Sequence, residues 1–198
     1  MMKQLILSLI LISTFQISRA QKEQDPKLEL PTKDNVLFFE GVVNVDPAMP
    51  KKELYTKARE WFVNYYKSAN DVLQMDDKEE GLLIGKGLHK YSFVNGINSS
   101  DVSLNFTVNI AVKDGRYRYQ IYNFNGKNSN RSALDAMASN PSGPNVTVVN
   151  FDDEYKQLIT DGSRKKYRTK LLTGLKSEVL AIVLTLEKAM KSKASNEF

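Results

Sequence analysis

The sequence predicts an α+β domain in which an antiparallel sheet of four to five strands has two helices packed on one face. Three patterns lead to this prediction. Residues 101–113 alternate apolar with polar side chains, as expected of a strand that buries one face. Asp114-Gly115 follows at once and is a preferred pair for a two-residue hairpin turn. Two longer segments, starting near Pro50 and Ser163, repeat apolar residues at helical spacing.

The elements are predicted in the order β-α-β-β-β-β-α. Runs of β-branched, aliphatic and aromatic residues mark the strands at 36–45, 71–75, 82–93, 101–113 and 116–124. A further segment at 146–151 could add a short edge strand. The apolar face of the first helix comprises Leu54, Ala58, Trp61, Phe62 and Tyr65. That of the last helix comprises Leu171, Leu175, Val179, Ile182 and Leu186, and both faces should cover the same side of the sheet.

The Asp-Gly turn also predicts how its two flanking strands pair. A type I′ turn, with positive φ at both central residues, pairs Val112 with Tyr117, Ile110 with Tyr119 and Val108 with Ile121 on the buried face.

Arg118, Tyr122 and Phe124 should then share the opposite, wet face of the hairpin, near Thr107 and Asn105. Exposed aromatic rings beside a cation are typical of a contact surface. We therefore predict that these three residues form an interaction surface.

Two glycines in the strand at 82–93 suggest a close approach by a helix. Gly85 and Gly87 are two residues apart, so they share one face of the strand and leave a shallow trough there. We expect Trp61 to fill it. Gly85-Lys86-Gly87 lies inside a strand and lacks a third glycine, so it does not indicate a nucleotide site.

Residues 125–145 are rich in asparagine, serine and glycine and predict a long connection, which we interpret as an insertion into the core fold. One helical turn is expected at 133–138, with Ser132 as its N-cap.

The ends of the chain predict export. Lys3, the apolar stretch 5–12 and the small residues around Ser18-Arg19-Ala20 are typical of a cleavable signal peptide over 1–20. Residues 21–34 are expected to form a flexible tether, residues 35–192 a single domain, and residues 193–198 a disordered tail. The protein would act in the periplasm or outside the cell, and without cysteine it cannot be a lipoprotein.

Composition narrows the chemistry further. The chain has no cysteine, which excludes disulfides, thiolate nucleophiles and cysteine-bound metals. Its net charge of +5 falls by two when Lys3 and Arg19 leave with the signal peptide, and this excess is too small to imply a nucleic-acid partner. We predict no cofactor, no metal site and no catalytic residue.

His89 is the only histidine, so any histidine-dependent catalysis would have to be built around it. No nucleophile elbow or oxyanion-type glycine turn accompanies it. A small hydrolase or isomerase using His89 is kept as an alternative. The acidic run at 152–154 could supply paired carboxylates, but it also fits a solvated turn or the start of a helix.

Five cations fall within seven residues at the start of the last helix: Arg164, Lys165, Lys166, Arg168 and Lys170. Such a patch could bind an anionic surface, for example lipid head groups, or an acidic protein. The other interpretation is a solvated helical face beside the acidic run at 152–154.

Three motifs carry a family resemblance: 53–55 with 58–62, 77–81 with 84–87, and 113–118. In this order they resemble a family of exported bacterial proteins catalogued as a domain of unknown function with a TBP-like fold. The resemblance extends from about Val36 to Met190. It implies an antiparallel sheet with helices on one face and implies no activity.

Taken together, these patterns predict an exported domain that acts as a non-catalytic binding or interaction module of the bacterial cell envelope. Its partner would be an envelope protein or an anionic surface, and no transmembrane segment is expected in the mature chain.

Overall fold

A six-stranded antiparallel sheet forms the centre of the computed structural model, which describes residues 28–66, 72–139 and 142–192. The strands are β1 Thr32–Lys33, β2 Val36–Leu37, β3 Phe39–Asn44, β4 Leu73–Asp77, β5 Leu82–Asn95, β6 Asn98–Lys113, β7 Arg116–Ser132 and β8 Asn145–Asn150. The helices are α1 Lys51–Tyr66, α2 Ala133–Ala136, α3 Phe151–Thr160 and α4 Lys165–Lys191. The predicted signal peptide and C-terminal tail lie outside the described residues.

The strands of the main sheet follow the order β3-β7-β6-β5-β4, and β8 pairs with the far half of β7. β1 and β2 form a separate hairpin. The α+β prediction is confirmed. The described residues form eight strands and four helices, compared with five strands and two helices in the predicted order. None of the helices in the described ranges is both long enough and apolar enough to cross a membrane.

The central hairpin has the predicted register. Val112 pairs with Tyr117, Ile110 with Tyr119 and Val108 with Ile121. All six alternating apolar residues of β6 are buried. Because apolar side chains two residues apart share a face, this strand supplies the middle of the core.

The turn of this hairpin is not of the predicted type I′, because only Gly115 has a positive φ. The turn packs on the start of α1 instead. The Asp114 carboxylate accepts a hydrogen bond from the Lys51 backbone N–H at 2.7 Å, and the Gly115 N–H donates to the Met49 carbonyl at 2.9 Å. Asp114 thus satisfies one of the unpaired N–H groups at the helix start, and this contact sets the turn geometry.

The prediction that α1 and α4 cover one side of the sheet is confirmed. The predicted partner of the glycine trough is wrong, because Phe62 lies over Gly85, and Tyr66 and Phe106 lie over Gly87. Trp61 points toward α4 instead, where its indole N–H donates to the Thr185 hydroxyl at 3.2 Å. The helical spacing of the aromatic residues in α1 predicts that several of them lie near the trough. Which of them contacts the glycines depends on the rotation of α1 about its own axis.

The N-terminal boundary predicted at residue 35 is too late. Leu30 is buried, and its backbone N–H donates to the Tyr155 hydroxyl at 3.1 Å. Leu28 and Leu30, predicted as part of the tether, therefore pack against the core. The predicted strand at 36–45 is also divided at Phe38, whose N–H donates to the Pro31 carbonyl at 3.0 Å.

Residues 125–132 were predicted as part of a connection but extend β7. They pair with β6 on one side and β8 on the other, so their backbone groups are satisfied despite a polar sequence. The helical turn after them is confirmed, with the Ser132 hydroxyl accepting from the Leu134 N–H at 3.3 Å. Helix α3 was not predicted, although Asn150 caps it and the acidic residues 152–154 form its first turn.

Candidate binding surface

One side of the sheet is left uncovered because both long helices lie on the other. We call this side the open face. Along each strand its side chains alternate with the buried ones, as the pleat requires. Its exposed members include Glu40, Val42, Lys86, Leu88, Lys90, Asn105, Arg118, Asn125 and Lys127. Four of these nine side chains are cations and two are amides, compared with one carboxylate, so the surface is mainly basic.

A β-bulge interrupts the open face in β7. Asn105 pairs with Asn125 and Thr107 pairs with Tyr122, so β7 carries one more residue than β6 between these pairs. Asn123 lies in the bulge and has a φ of +59°, in the left-handed region. Bulges and such strained residues are frequent at functional sites.

The bulge corrects the predicted surface of Arg118, Tyr122 and Phe124. An added residue reverses the alternation, so Phe124 faces the helices, is buried and packs edge-on against Phe39 with centroids 5.6 Å apart. Arg118 is exposed on the open face as placed by the sequence. Tyr122 is half-buried there and stacks on Phe38, with centroids 5.6 Å apart.

A pocket of about 400 Å³ lies beside the bulge. Its lining comprises Lys86, Gly87, Asn105, Phe106, Thr107, Asn123 and Asn125. Two hydrogen bonds order its amides: Asn105 Nδ2 donates to Asn125 Oδ1 at 3.3 Å, and Asn125 Nδ2 donates to the Asn123 carbonyl at 3.1 Å. The lining offers donors, acceptors and one cation, and it includes no acidic side chain.

A second depression of about 240 Å³ adjoins the first, since Asn123 lines both. It contains the Phe38–Tyr122 stack, with the Lys33 ammonium 5.1 Å from the Phe38 centroid. Asp34 and Asp152 also line it, and Asp152 accepts from the Leu37 N–H at 2.7 Å. Burial raises the pKa of Asp152, and the charge of Asp153 adds to this effect, whereas the hydrogen bond from Leu37 opposes it.

Sequence reasoning missed Asn123 and the pocket. A signal was present in the spacing of the core residues of β7. Tyr117 and Ile121 are four residues apart, an even number, whereas Ile121 and Phe124 are three apart. An odd interval within a strand indicates a bulge.

The five cations at 164–170 do not form one surface. The Arg168 side chain is 4% exposed, and its Nε donates to Glu154 Oε2 at 2.9 Å. Its other nitrogens contact Ser163 and Gln157. The prediction that Arg168 belongs to a binding patch is wrong, because helix α3 brings its partners next to it.

The remaining cations of this group behave differently. Lys165 and Lys166 are exposed. Arg164 is also exposed, with its guanidinium carbon 4.4 Å from the Tyr167 ring centroid, and Lys170 contacts the Val94 carbonyl. Three of the five side chains therefore point into solvent at the start of α4.

His89 lies on the helix-covered side of β5. Its Nδ1 is 2.7 Å from Glu178 Oε2 on α4, and its ring is surrounded by Tyr65, Tyr66 and Phe106. Among the described residues, no serine, threonine or lysine side chain hydrogen-bonds this ring. Nor do the described ranges contain three or more His, Asp or Glu side chains grouped to hold a metal ion.

The sheet with two covering helices and one open face defines an α+β domain with a TBP-like fold. Residues 39–127 match the sequence model of DUF4468, described as a domain of unknown function with TBP-like fold. The resemblance predicted from the three motifs is confirmed. No curated protein matches the chain.

Two solved structures share the fold. A DUF4468 family protein from Bacteroides ovatus is 14% identical with a TM-score of 0.53, over 85% of this chain and 94% of the other. A TBP-like protein from Parabacteroides distasonis is 11% identical with a TM-score of 0.53, over 79% of this chain and 96% of the other. At these identities the likeness concerns the fold alone, and fold does not define function.

Proposed function

We propose that this chain is an exported, non-catalytic binding module of the bacterial cell envelope, and that it binds its partner through the open face around Asn123. The observation that carries this proposal is the bulge, which puts a strained asparagine between two adjoining depressions on a sheet face that no described helix covers. Rigid strands hold the lining residues in place, as a preorganised binding site requires.

The chemistry of the 400 Å³ pocket favours a polar partner that offers hydrogen-bond acceptors or negative charge. Lys86 supplies a cation, and the ordered amides supply donors and acceptors at fixed positions. The Phe38–Tyr122 stack adds a flat apolar surface next to them. Nothing in this set pairs a nucleophile with a base, which supports binding over catalysis.

Export is supported by residues 1–20, in which a basic start, an apolar stretch and small residues before Gln21 follow the signal-peptide pattern. It is also consistent with a fold that has no cysteine to be oxidised.

Replacing Lys86 and Tyr122 together by alanine should reduce capture of the chain's envelope partner at least about fivefold, because a cation and an aromatic contact are lost from the centre of the surface. The measurement is quantitative capture from a native envelope extract by the immobilised chain. Lys52→Ala, an exposed lysine on α1, is the matched control. Unchanged capture by the double variant, or an equal loss with Lys52→Ala, would contradict the proposal.

The His89–Glu178 pair is the observation that favours the alternative, a small hydrolase or isomerase. A carboxylate that orients an imidazole is part of many hydrolytic sites. We expect instead that His89→Ala leaves the turnover of a panel of ester, peptide and phosphoester substrates unchanged. The substitution should only weaken packing between β5 and α4. Turnover that is present in the parent and lost in a folded His89→Ala variant would establish the enzyme.

A further inference from the structure

One end of the sheet carries an unusual number of exposed aliphatic side chains. We call this the distal end; it contains the β5–β6 turn, the end of β7, helix α2 and the start of β8. The exposed set, which we call the apolar rim, is between 56% and 84% exposed and comprises Val94, Ile97, Leu134, Met137, Val146 and Val148. Exposed apolar side chains grouped at one end of a monomer are candidates for a contact site.

The members of the apolar rim are held near one another by the fold. The Ala133 N–H donates to the Ile97 carbonyl at 3.0 Å, which places helix α2 against the β5–β6 turn. Leu134 and Met137 are three residues apart and therefore share one side of that helical turn. On the open face, Val146 and Val148 follow β7 toward the same end.

Cations surround the apolar rim. Val148 pairs with Lys127, and Val94 pairs with Ser99, which in turn pairs with Arg131. Lys170 contacts the Val94 carbonyl.

The start of α4 lies at this end as well, because Tyr167 packs on Phe93 with centroids 5.7 Å apart and accepts a hydrogen bond from Asn128. The exposed Lys165 and Lys166 are therefore close to the rim.

The acidic groups of this end are fewer and have partners. Asp101 accepts from the Ser92 hydroxyl at 2.6 Å, and Asp135 accepts from the Ser142 N–H at 3.1 Å. Asp161 lies 3.5 Å from the Arg168 guanidinium. The distal end thus combines exposed aliphatic groups with a net positive charge.

We propose that the distal end docks on an anionic phospholipid bilayer, with the apolar rim entering the interface and the surrounding cations contacting lipid phosphates. Aliphatic side chains gain by leaving water at the boundary of the acyl chains, and nearby lysines and arginines add attraction to anionic lipids. This surface differs from the pocket at Asn123, so the inference does not depend on the identity of the open-face partner. It replaces a patch at 164–170 alone with a surface that combines the start of α4 with the β5–β6 turn, the end of β7, helix α2 and the start of β8.

The test is co-sedimentation with vesicles, using the chain from Gln21 to Phe198. This chain keeps every described element and lacks the apolar stretch 5–12, which would enter lipid regardless of the fold. Vesicles of phosphatidylcholine with about one third phosphatidylglycerol should bind it, and vesicles of phosphatidylcholine alone should bind it at least about tenfold more weakly. Raising the salt from about 0.1 M to about 0.5 M should weaken binding to the anionic vesicles.

Two sets of variants distinguish this proposal from non-specific adsorption to vesicles. Leu134→Ser with Met137→Ser should lower the partition coefficient at least about tenfold, and Lys166→Glu should lower it about fivefold or more. The matched controls are Leu184→Ser, at a leucine of similar exposure on α4, and Lys113→Glu, at an exposed lysine where β6 meets the turn. All five positions are exposed, so circular dichroism should show an unchanged fold.

Several results would overturn the inference. These are an absence of binding to anionic vesicles, full binding by the Leu134 and Met137 variant, or equal losses in the controls. Binding to soluble polyglutamate with none to vesicles would identify an acidic protein as the partner and would also overturn it.

Discussion

Replacing Arg168 by alanine should lower the free energy of unfolding by about 3 kcal/mol, one of the largest effects expected of any single change in this chain. The guanidinium joins α3, the loop after it and α4 through Glu154, Gln157 and Ser163. It is almost completely buried, so its loss leaves the Glu154 carboxylate, 19% exposed, without its ion partner. An unpaired and largely buried charge is costly.

Urea denaturation followed by circular dichroism measures this loss. Lys166→Ala is the matched control, because Lys166 belongs to the same cluster in sequence but is exposed, and it should change stability by less than about 0.5 kcal/mol. A double-mutant cycle with Glu154→Gln should show strong coupling. If Arg168→Ala and Lys166→Ala had equal, small effects, the buried network would be wrong and the five cations would form a common surface after all.

Gly126→Ala should destabilise the chain by about 3 kcal/mol or more, because the added carbon would overlap the carbonyl oxygen of Ser103. That oxygen belongs to the backbone of β6, which is paired on both sides by β5 and β7. A side chain could rotate away from such a clash, but a strand in the middle of a sheet cannot move without breaking its hydrogen bonds.

Gly96→Ala is the comparison for this prediction. Gly96 has a φ of +66° in the β5–β6 turn, and no atom lies within 4 Å of the added carbon. The variant should therefore be destabilised only by the cost of holding an alanine in the left-handed backbone region, about 1 kcal/mol. Thermal unfolding of both variants tests the difference, and a Gly126→Ala protein as stable as Gly96→Ala would show that β6 and β7 are farther apart than described.

Much of the sheet could be predicted because its signals are local. The alternation in β6 and the Asp-Gly pair define one strand, one turn and one register, and these three agree with each other. The two long helices are predictable for the same reason, since each has an apolar face that repeats over several turns. Propensity and periodicity act over a few residues, so they are visible without the rest of the chain.

The candidate surface was predicted only in part. Arg118 and Tyr122 follow from the register counted from the turn, and the count fails at Asn123 because the bulge adds a residue. Phe124 therefore belongs to the core. A polar stretch such as 125–132 contains no strand pattern of its own and becomes a strand only because β6 and β8 offer it hydrogen-bond partners on both sides.

The basic residues at 164–170 illustrate the same limit. Their charge is evident from composition, but their separation into one buried residue and several exposed ones depends on α3, which packs beside α4 through contacts such as Glu154 with Arg168. The hairpin register and the apolar faces of the two long helices, with the order of the main strands around them, could be predicted from short stretches of the chain. The bulge at Asn123, the burial of Phe124 and Arg168 and the apolar rim arose only when distant segments met, because burial and pairing are properties of neighbours in space.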